Sequence, residues 1–464
     1  MTKADPRVSG EGTSISHRNL ARRRLPSALV AWAAMLMCVA TAYAQLPQQV
    51  QGAKTTFVHL GNNTNALLTE PAEPGPKARI VVINAHPGKV SAFEYFTGRQ
   101  LVARGYRQLG VNYYGPENTF EELLAPLAAA VRYARSLPGV EKVILVGHSG
   151  GGPELAYYAE IAEKGAAACQ QPNRLFKCDG KGLGDLPKID GLALLEANIG
   201  APHRTMSVDP AVTDPQWPKR RKADLDMYAA QNGFDAKTDT ASYSAAFVTR
   251  FGAAQHARSE SLIASSEAKW RAVEAHTGPY NDNDPLIIPG FADNSLGTRL
   301  NLADGKLLAE THAAHLHLRA DGTTPVEIAH STRKPAATAP DLRDTVEETT
   351  QVTTVRQYLS FLAITTTAEF QITRNDIKGV DWRSSANSAA GSVENVSVPT
   401  LIMAGSCTIH MVPLEITYDH SAAKDKEFAV VEGGDHSFRP CRPEFGDTQK
   451  RAFDYVDAWL SKRF

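Results

Sequence analysis

Residues 143–154 read VILVGHSGGGPE: four apolar residues run into a glycine, a histidine, a serine and three further glycines. An apolar run of this kind suits a strand buried on both faces of a sheet. A segment with helical character follows at once, so the chain must reverse direction within two or three residues. Ser149 is the one hydroxyl at that reversal, among residues with little or no side chain. Such a strand and turn require further strands on either side and helices above and below them.

The rest of the sequence supplies them. RIVVINA (79–85), RQLGVNYY (107–114), KVILVG (142–147), GLALLEA (191–197), PTLIMAG (399–405) and EFAVVEG (427–433) are short runs rich in Val, Ile and Leu. Helical patterns separate them, with capping-box spacing at Ser91/Glu94 and Thr119/Glu122 and with Gly105 and Gly139 at helix ends. TTFVHL and NALLTE, joined at Asn62-Asn63, read as an opening hairpin. The alternation predicts an α/β fold: a mostly parallel sheet with helices on both faces and right-handed crossovers.

The alternation stops after Glu196. Residues 200–395 are richer in Asp, Thr, Pro and Ala, with helical stretches at 219–232 and 256–275 and a hairpin predicted around Asp321-Gly322. The buried-strand pattern returns at VENVSVPTLIMAG. The expected organisation is a leader over 1–44, a first core segment over 45–199, a large inserted cap over 200–395 after the sixth strand, and a second core segment over 396–464. A cap at this point would roof the strand ends where ligands bind in open α/β sheets.

Composition narrows the class. With 464 residues, 43% hydrophobic and 21% charged, and a formal net charge of −1, the chain is an ordinary globular one with no basic surplus for nucleic acid. The N-terminus departs from this. A basic stretch including Arg22–Arg24, faintly of twin-arginine type, precedes an apolar run from Ala28 to Ala40 and the small-residue site Ala42-Tyr43-Ala44. That pattern predicts a cleaved secretory signal, with an uncleaved anchor as the alternative; the run is shorter than the roughly 20 residues a span needs. Cys38 follows Met37, which does not fit a lipoprotein site. Removing 1–44 takes six Lys/Arg and two Asp/Glu, which leaves 43 against 48 and a net charge of −5. A secreted or periplasmic protein with no stable membrane span in its mature form is expected.

Export alters the reading of the cysteines. Cys169, Cys178, Cys407 and Cys441 remain, an even number in a compartment where disulfides persist. Three pairings are possible, and four free buried thiols are the alternative. Cys169 and Cys178 bracket the polar loop QQPNRLFK, which favours a local bridge and leaves Cys407 with Cys441.

Gly147-His148-Ser149-Gly150-Gly151 is a G-x-S-x-G nucleophile elbow set between a predicted strand and helix. On these residues the chain resembles the α/β-hydrolase family over about 55–200 and 395–464. The resemblance implies a serine nucleophile, a histidine base, an acid that orients the base, and two backbone amides that bind an oxyanion. The Gly150 amide, at the positive end of the following helix, would be one. The other would come from NAHPGKVSAFEYF (84–96); Pro87 has no amide proton, so Gly88, or failing it Lys89, is the candidate, while His86 shapes the loop. VVEGGDHSF places His436 after the last strand as base, with Asp435 as a loop-stabilising carboxylate.

The acid departs from the family pattern. It usually follows PTLIMAG, but Ser406-Cys407-Thr408-Ile409-His410 holds no carboxylate. Glu196, at the end of LALLE, is the candidate, ahead of Asp419 and Glu415 on the following helix. Cys407 and Cys441 would then bridge the loops after two neighbouring strands.

The expected function is that of an exported serine hydrolase acting on a carboxylic ester, lactone or related acyl bond of a small molecule through an acyl-enzyme. Two alternatives stand: a carbon-carbon bond hydrolase of diketones using the same residues, and a non-catalytic binding protein on a hydrolase scaffold. Neither cofactor nor metal is expected. His315-x-His317 lacks a third ligand at metal spacing, GKGLGD (180–185) follows no strand, and Lys219–Lys222 reads as a solvated helix face.

Overall fold

The computed structural model describes residues 50–61, 63–87, 91–93, 95–113, 119–213, 221–291, 299–336 and 349–464. The expected leader, Gly88, Lys89 and Glu94 lie outside the described residues. Ten strands form one sheet: β1 (Ala53–Gly61), β2 (Thr64–Pro71), β3 (Ile80–Ala85), β4 (Arg107–Tyr113), β5 (Lys142–Ser149), β6 (Gly191–Ala197), β7 (Glu310–Leu318), β8 (Val326–His330), β9 (Thr400–Gly405) and β10 (Lys426–Val431). Their spatial order is β1-β2-β4-β3-β5-β6-β9-β10-β7-β8. From β4 to β7 every neighbouring pair is parallel, and antiparallel hairpins close both edges.

Both faces are covered, which explains why the strand sequences are continuously apolar. On β3, Val81 and Ile83 pack with Leu127 and Val131 of α2 (Leu124–Ser136) and Leu155 and Tyr158 of α3 (Gly151–Lys164). Ile80 and Val82 point the other way, toward Leu101 of α1 (Phe96–Val102) and Phe453, Val456, Trp459 and Leu460 of α7 (Thr448–Arg463). Alternate residues of one strand thus feed two cores, as the two-residue side-chain period requires. Phe453 is fully buried, and its truncation to Ala would cost about 3–5 kcal/mol.

The inserted segment departs from the sequence reading in two places. The hairpin around Asp321-Gly322 forms, but it does not stand apart from the sheet: β7 pairs in parallel with β10, Leu316 opposite Ala429 and Leu318 opposite Val431. Residues 219–232 do not form a helix where they are described; turns lead to a single 3-10 turn at Ala230–Asn232. There Asp226 accepts from the Tyr228 amide, and the Asn232 side chain donates to the Ala223 and Asp226 carbonyls. Such side-chain to backbone bonds compete with the helical ladder. The stretch at 256–275 is the later part of α5 (Ala245–Glu274), whose N-cap Ser244 accepts from the Phe247 amide. Phe247, Val248 and Phe251 of α5 join Met227, Phe234 and Phe370 in a core that reaches Val412 and Ile416 of α6 (Met411–His420).

Candidate active site

At the end of β5 the chain turns through Ser149, whose φ is +52°, a region that costs a side-chain-bearing residue energy. The surrounding glycines answer for the sequence pattern. A Cβ on Gly147 would lie 2.8 Å from the Gly151 carbonyl oxygen, one on Gly151 2.2 Å from the Ala85 oxygen, and one on Gly152 2.2 Å from the Ala197 Cβ. Only glycine lets the elbow approach both neighbouring strands.

Glu196 stands beside it at the end of β6, also at positive φ (+49°), with Ser149 paired to the next residue, Ala197. Its side chain is fully buried, and three groups meet it: the Gly405 amide donates to Oε1 at 2.5 Å, the Thr408 hydroxyl lies 3.1 Å from Oε1, and His436 Nδ1 lies 3.2 Å from Oε2. Burial pushes the Glu196 carboxyl up, and these partners act against it by stabilising the charged form. The loop after β9 therefore holds no acid of its own but grips one from the strand beside it.

Loops after β9 and β10 interlock around His436. The Gly433 amide donates to Ser406 Oγ, and the Cys407 amide to the Gly434 carbonyl. A Cβ on Gly405 would come within 2.2 Å of that same carbonyl oxygen. Cys407 and Cys441 form a disulfide with Cα atoms 6.4 Å apart, and Cys169 and Cys178 form a second at 5.6 Å. Asp435 points back into its own loop, where it accepts from the Ser437 and Arg439 amides. Asp419 and Glu415 are engaged elsewhere, with His312 and, for Glu415, also His315 and the Ala313 amide.

The order β1-β2-β4-β3-β5-β6-β9-β10, with a strained serine at the end of β5, a carboxylate at the end of β6 and a histidine after β10, decides the architecture. The fold is of the α/β-hydrolase type. No protein-family model and no curated protein sequence matches the chain. Among solved structures, the chain is similar to the HSL-homolog EstE7 from a metagenome library (14% identity, TM-score 0.42, covering 93% of this chain and 91% of that one). It is also similar to a soluble variant of monoglyceride lipase from Saccharomyces cerevisiae (13%, TM-score 0.40, 90% and 99%) and to Est1E from Butyrivibrio proteoclasticus (12%, TM-score 0.37, 89% and 99%).

Several residues around Ser149 and His436 carry no signal legible in the sequence. His148, between the elbow glycine and Ser149, is buried; its Nε2–H donates to the His436 carbonyl at 2.5 Å and its Nδ1 accepts from the Tyr95 hydroxyl at 2.6 Å. Burial, with the nearby His436, holds His148 well below the usual histidine range. His410 stacks on His436 with ring centroids 4.9 Å apart, and His203 of α4 (Ala201–Thr205) stacks on His410 at 6.0 Å and contacts Arg299. Buried histidines ahead of a helix start do not announce themselves in a single sequence.

His86 bears directly on the oxyanion expectation. Its Nδ1–H donates to the Pro87 carbonyl at 2.7 Å, so Nε2 is an acceptor, and the Gly150 amide donates to it at 3.2 Å. The amide expected to bind an oxyanion is thus satisfied by an imidazole. Among the described residues one group has ligand atoms gathered as a metal would need: Glu196, His410 and His436, all within 4.8 Å of one another.

Proposed function

We propose that this chain is an exported serine hydrolase that cleaves a carboxylic ester, lactone or related acyl bond. Ser149 is the nucleophile, His436 the base and Glu196 the acid. The observation that carries the reading is the 3.2 Å contact from Glu196 Oε2 to His436 Nδ1, beside a serine held at positive φ. With its Nδ1–H committed to the carboxylate, the imidazole has Nε2 free to take the serine proton. The imidazolium formed is offset by a carboxylate that the Gly405 amide and Thr408 orient.

The acyl carbonyl oxygen becomes an oxyanion on attack, and the Gly150 amide is its donor once His86 has yielded that amide, with Gly88 as the second donor. His148 is a positioning residue that pins the His436 backbone. The two disulfides support the exported environment, and among the described residues no helix is long and apolar enough to cross a membrane.

A fluorophosphonate probe tests the mechanism. Stoichiometric labelling, located at Ser149 by peptide mass spectrometry, is expected within minutes. An unlabelled, folded protein would leave the scaffold as a binding protein. Turnover of a panel of aliphatic, aromatic and cyclic esters then defines the acyl group.

A further inference from the structure

We infer that Glu196, His436 and His410 form an inhibitory zinc site built over the catalytic pair, an inference whose inhibitory half rests on the serine-hydrolase reading above. Zinc bound by two imidazoles and a carboxylate, with a fourth position left for water, is a standard donor set. Two ligands about 2.0–2.2 Å from a tetrahedral zinc stand about 3.4 Å apart. Glu196 Oε2 and His436 Nδ1 are 3.2 Å apart, a separation the ion would leave nearly unchanged.

The third ligand is already at hand. His410 is stacked on His436 at an interplanar angle of 29°, and one ligand atom from each of the three residues lies within 4.8 Å of the other two. Closing from that distance to about 3.4 Å is a shift of about 1.4 Å or less, within the reach of a side-chain rotation. The carboxylate needs no help from the ion to stay in place. Its other oxygen is held by the Gly405 amide, beside the Thr408 hydroxyl, which is the outer-shell support that fixes a metal-binding carboxylate.

Inhibition follows from the tautomer. In the resting imidazole the proton sits on Nδ1, facing Glu196, and Nε2 has the lone pair that serves Ser149. Zinc takes the Nδ1 lone pair, so the same proton passes through water to Nε2 and none is released. A protonated Nε2 donates where a base must accept, and Glu196, bound to the ion, no longer orients the ring. The site is thus closed by the atoms that make it work. Calcium and magnesium, which prefer all-oxygen shells, are not expected to compete.

Crystals of the full mature chain carrying Ser149→Ala, soaked in zinc chloride, test the site without disturbing its ligands. An anomalous difference peak between Glu196, His410 and His436 is expected; a peak elsewhere only, or none, would overturn the site. Calorimetric titration of the same protein with zinc chloride should show one site, weakened about tenfold or more by adding His410→Phe or His410→Gln, with circular dichroism to verify the fold. Unchanged binding in a folded His410 variant would overturn His410 as ligand.

With Ser149 intact, zinc should slow fluorophosphonate labelling, magnesium should not, and the His410 variants should need about tenfold or more zinc for the same slowing. Labelling accelerated or untouched by zinc would overturn the inhibitory role. If zinc occupies the site but the metal-free chain never labels, the metal site stands and the hydrolase reading falls.

Discussion

Glu196 at the rim of the sheet and Glu154 within α3 are both buried, at 0% and 1% exposure, and the protein treats them in opposite ways. Glu196 receives the Gly405 amide and the His436 imidazole, with the Thr408 hydroxyl beside it. Among the described residues neither carboxylate oxygen of Glu154 has a hydrogen-bond partner. Burial raises both carboxyls, but only at Glu196 do partners oppose it. Glu121, in the 3-10 turn Glu121–Leu123 before α2, lies between the two: one oxygen accepts from Ser360, which acts against burial, yet burial still lifts it to about 7. Donors around a buried acid favour its charged form, and where they are missing burial acts unopposed. The proposed mechanism uses the rim, and the region under α2 and α3 packs the core.

The largest expected effect tests whether the rim is catalytic at all. Ser149→Ala should lower turnover by about 10⁴ to 10⁶ with an unchanged melting temperature, and retention of a tenth of the wild-type rate would refute the serine mechanism. Next, Glu196→Gln should cost roughly 10⁴ in kcat, because His436 loses its charge partner and its tautomer control. Glu154→Gln is expected to leave kcat within about threefold, since among the described residues no hydrogen bond ties its carboxylate to a group that the mechanism uses. Equal losses in the two variants, read by steady-state kinetics, would erase the contrast.

A smaller effect concerns the clamp around the rim. Replacing Cys407 and Cys441 together by Ala opens a loop of 34 residues' separation, which the chain-entropy account values at about 3–4 kcal/mol. The melting temperature should drop and kcat with it, whereas replacing Cys169 and Cys178 should lower stability and spare kcat. The smallest is Glu121. Its proton binds the folded state more tightly than the unfolded one, so its contribution is fully present below about 4.5 and is lost as pH rises through about 7. Denaturant unfolding should show stability declining by about 3 kcal/mol across that window, and Glu121→Gln should flatten the decline. An unaltered profile would show that Glu121 is charged in the folded chain.

One side of this contrast, the rim, was legible in the sequence, whereas Glu154 and Glu121 were not singled out there. The strands, the elbow, Glu196 at the tip of LALLE, His436 and both cysteine pairings can be read there, because burial on two faces and the glycines of a tight turn leave local signatures. The grip on Glu196 could not be read. Thr408 and the Gly405 amide lie 212 and 209 residues away in the chain, and nothing in SCTIH says that a loop without a carboxylate will hold its neighbour's. The hairpin of β7 and β8 was legible as a hairpin but not as a part of the main sheet, since pairing partners leave no trace in an alternating pattern. At 219–232 the helical reading failed because Asp226 and Asn232 cap the backbone locally.

The place of β10 has a consequence for how the molecule assembles. It lies between β9, which immediately precedes it, and β7, which ends 108 residues earlier at Leu318. Until residues 426–431 arrive, the β7–β8 hairpin is a two-stranded ribbon with a bare edge, and such ribbons are marginal alone and ready to pair with strangers. Synthesis or translocation paused before Lys426 leaves an unfinished sheet with two open edges, those of β9 and β7, and one strand closes both. Late, long-range closure of this kind is slow. Refolding should therefore be limited by capture of the C-terminal strand, and chains truncated ahead of it should aggregate rather than populate a smaller native fold.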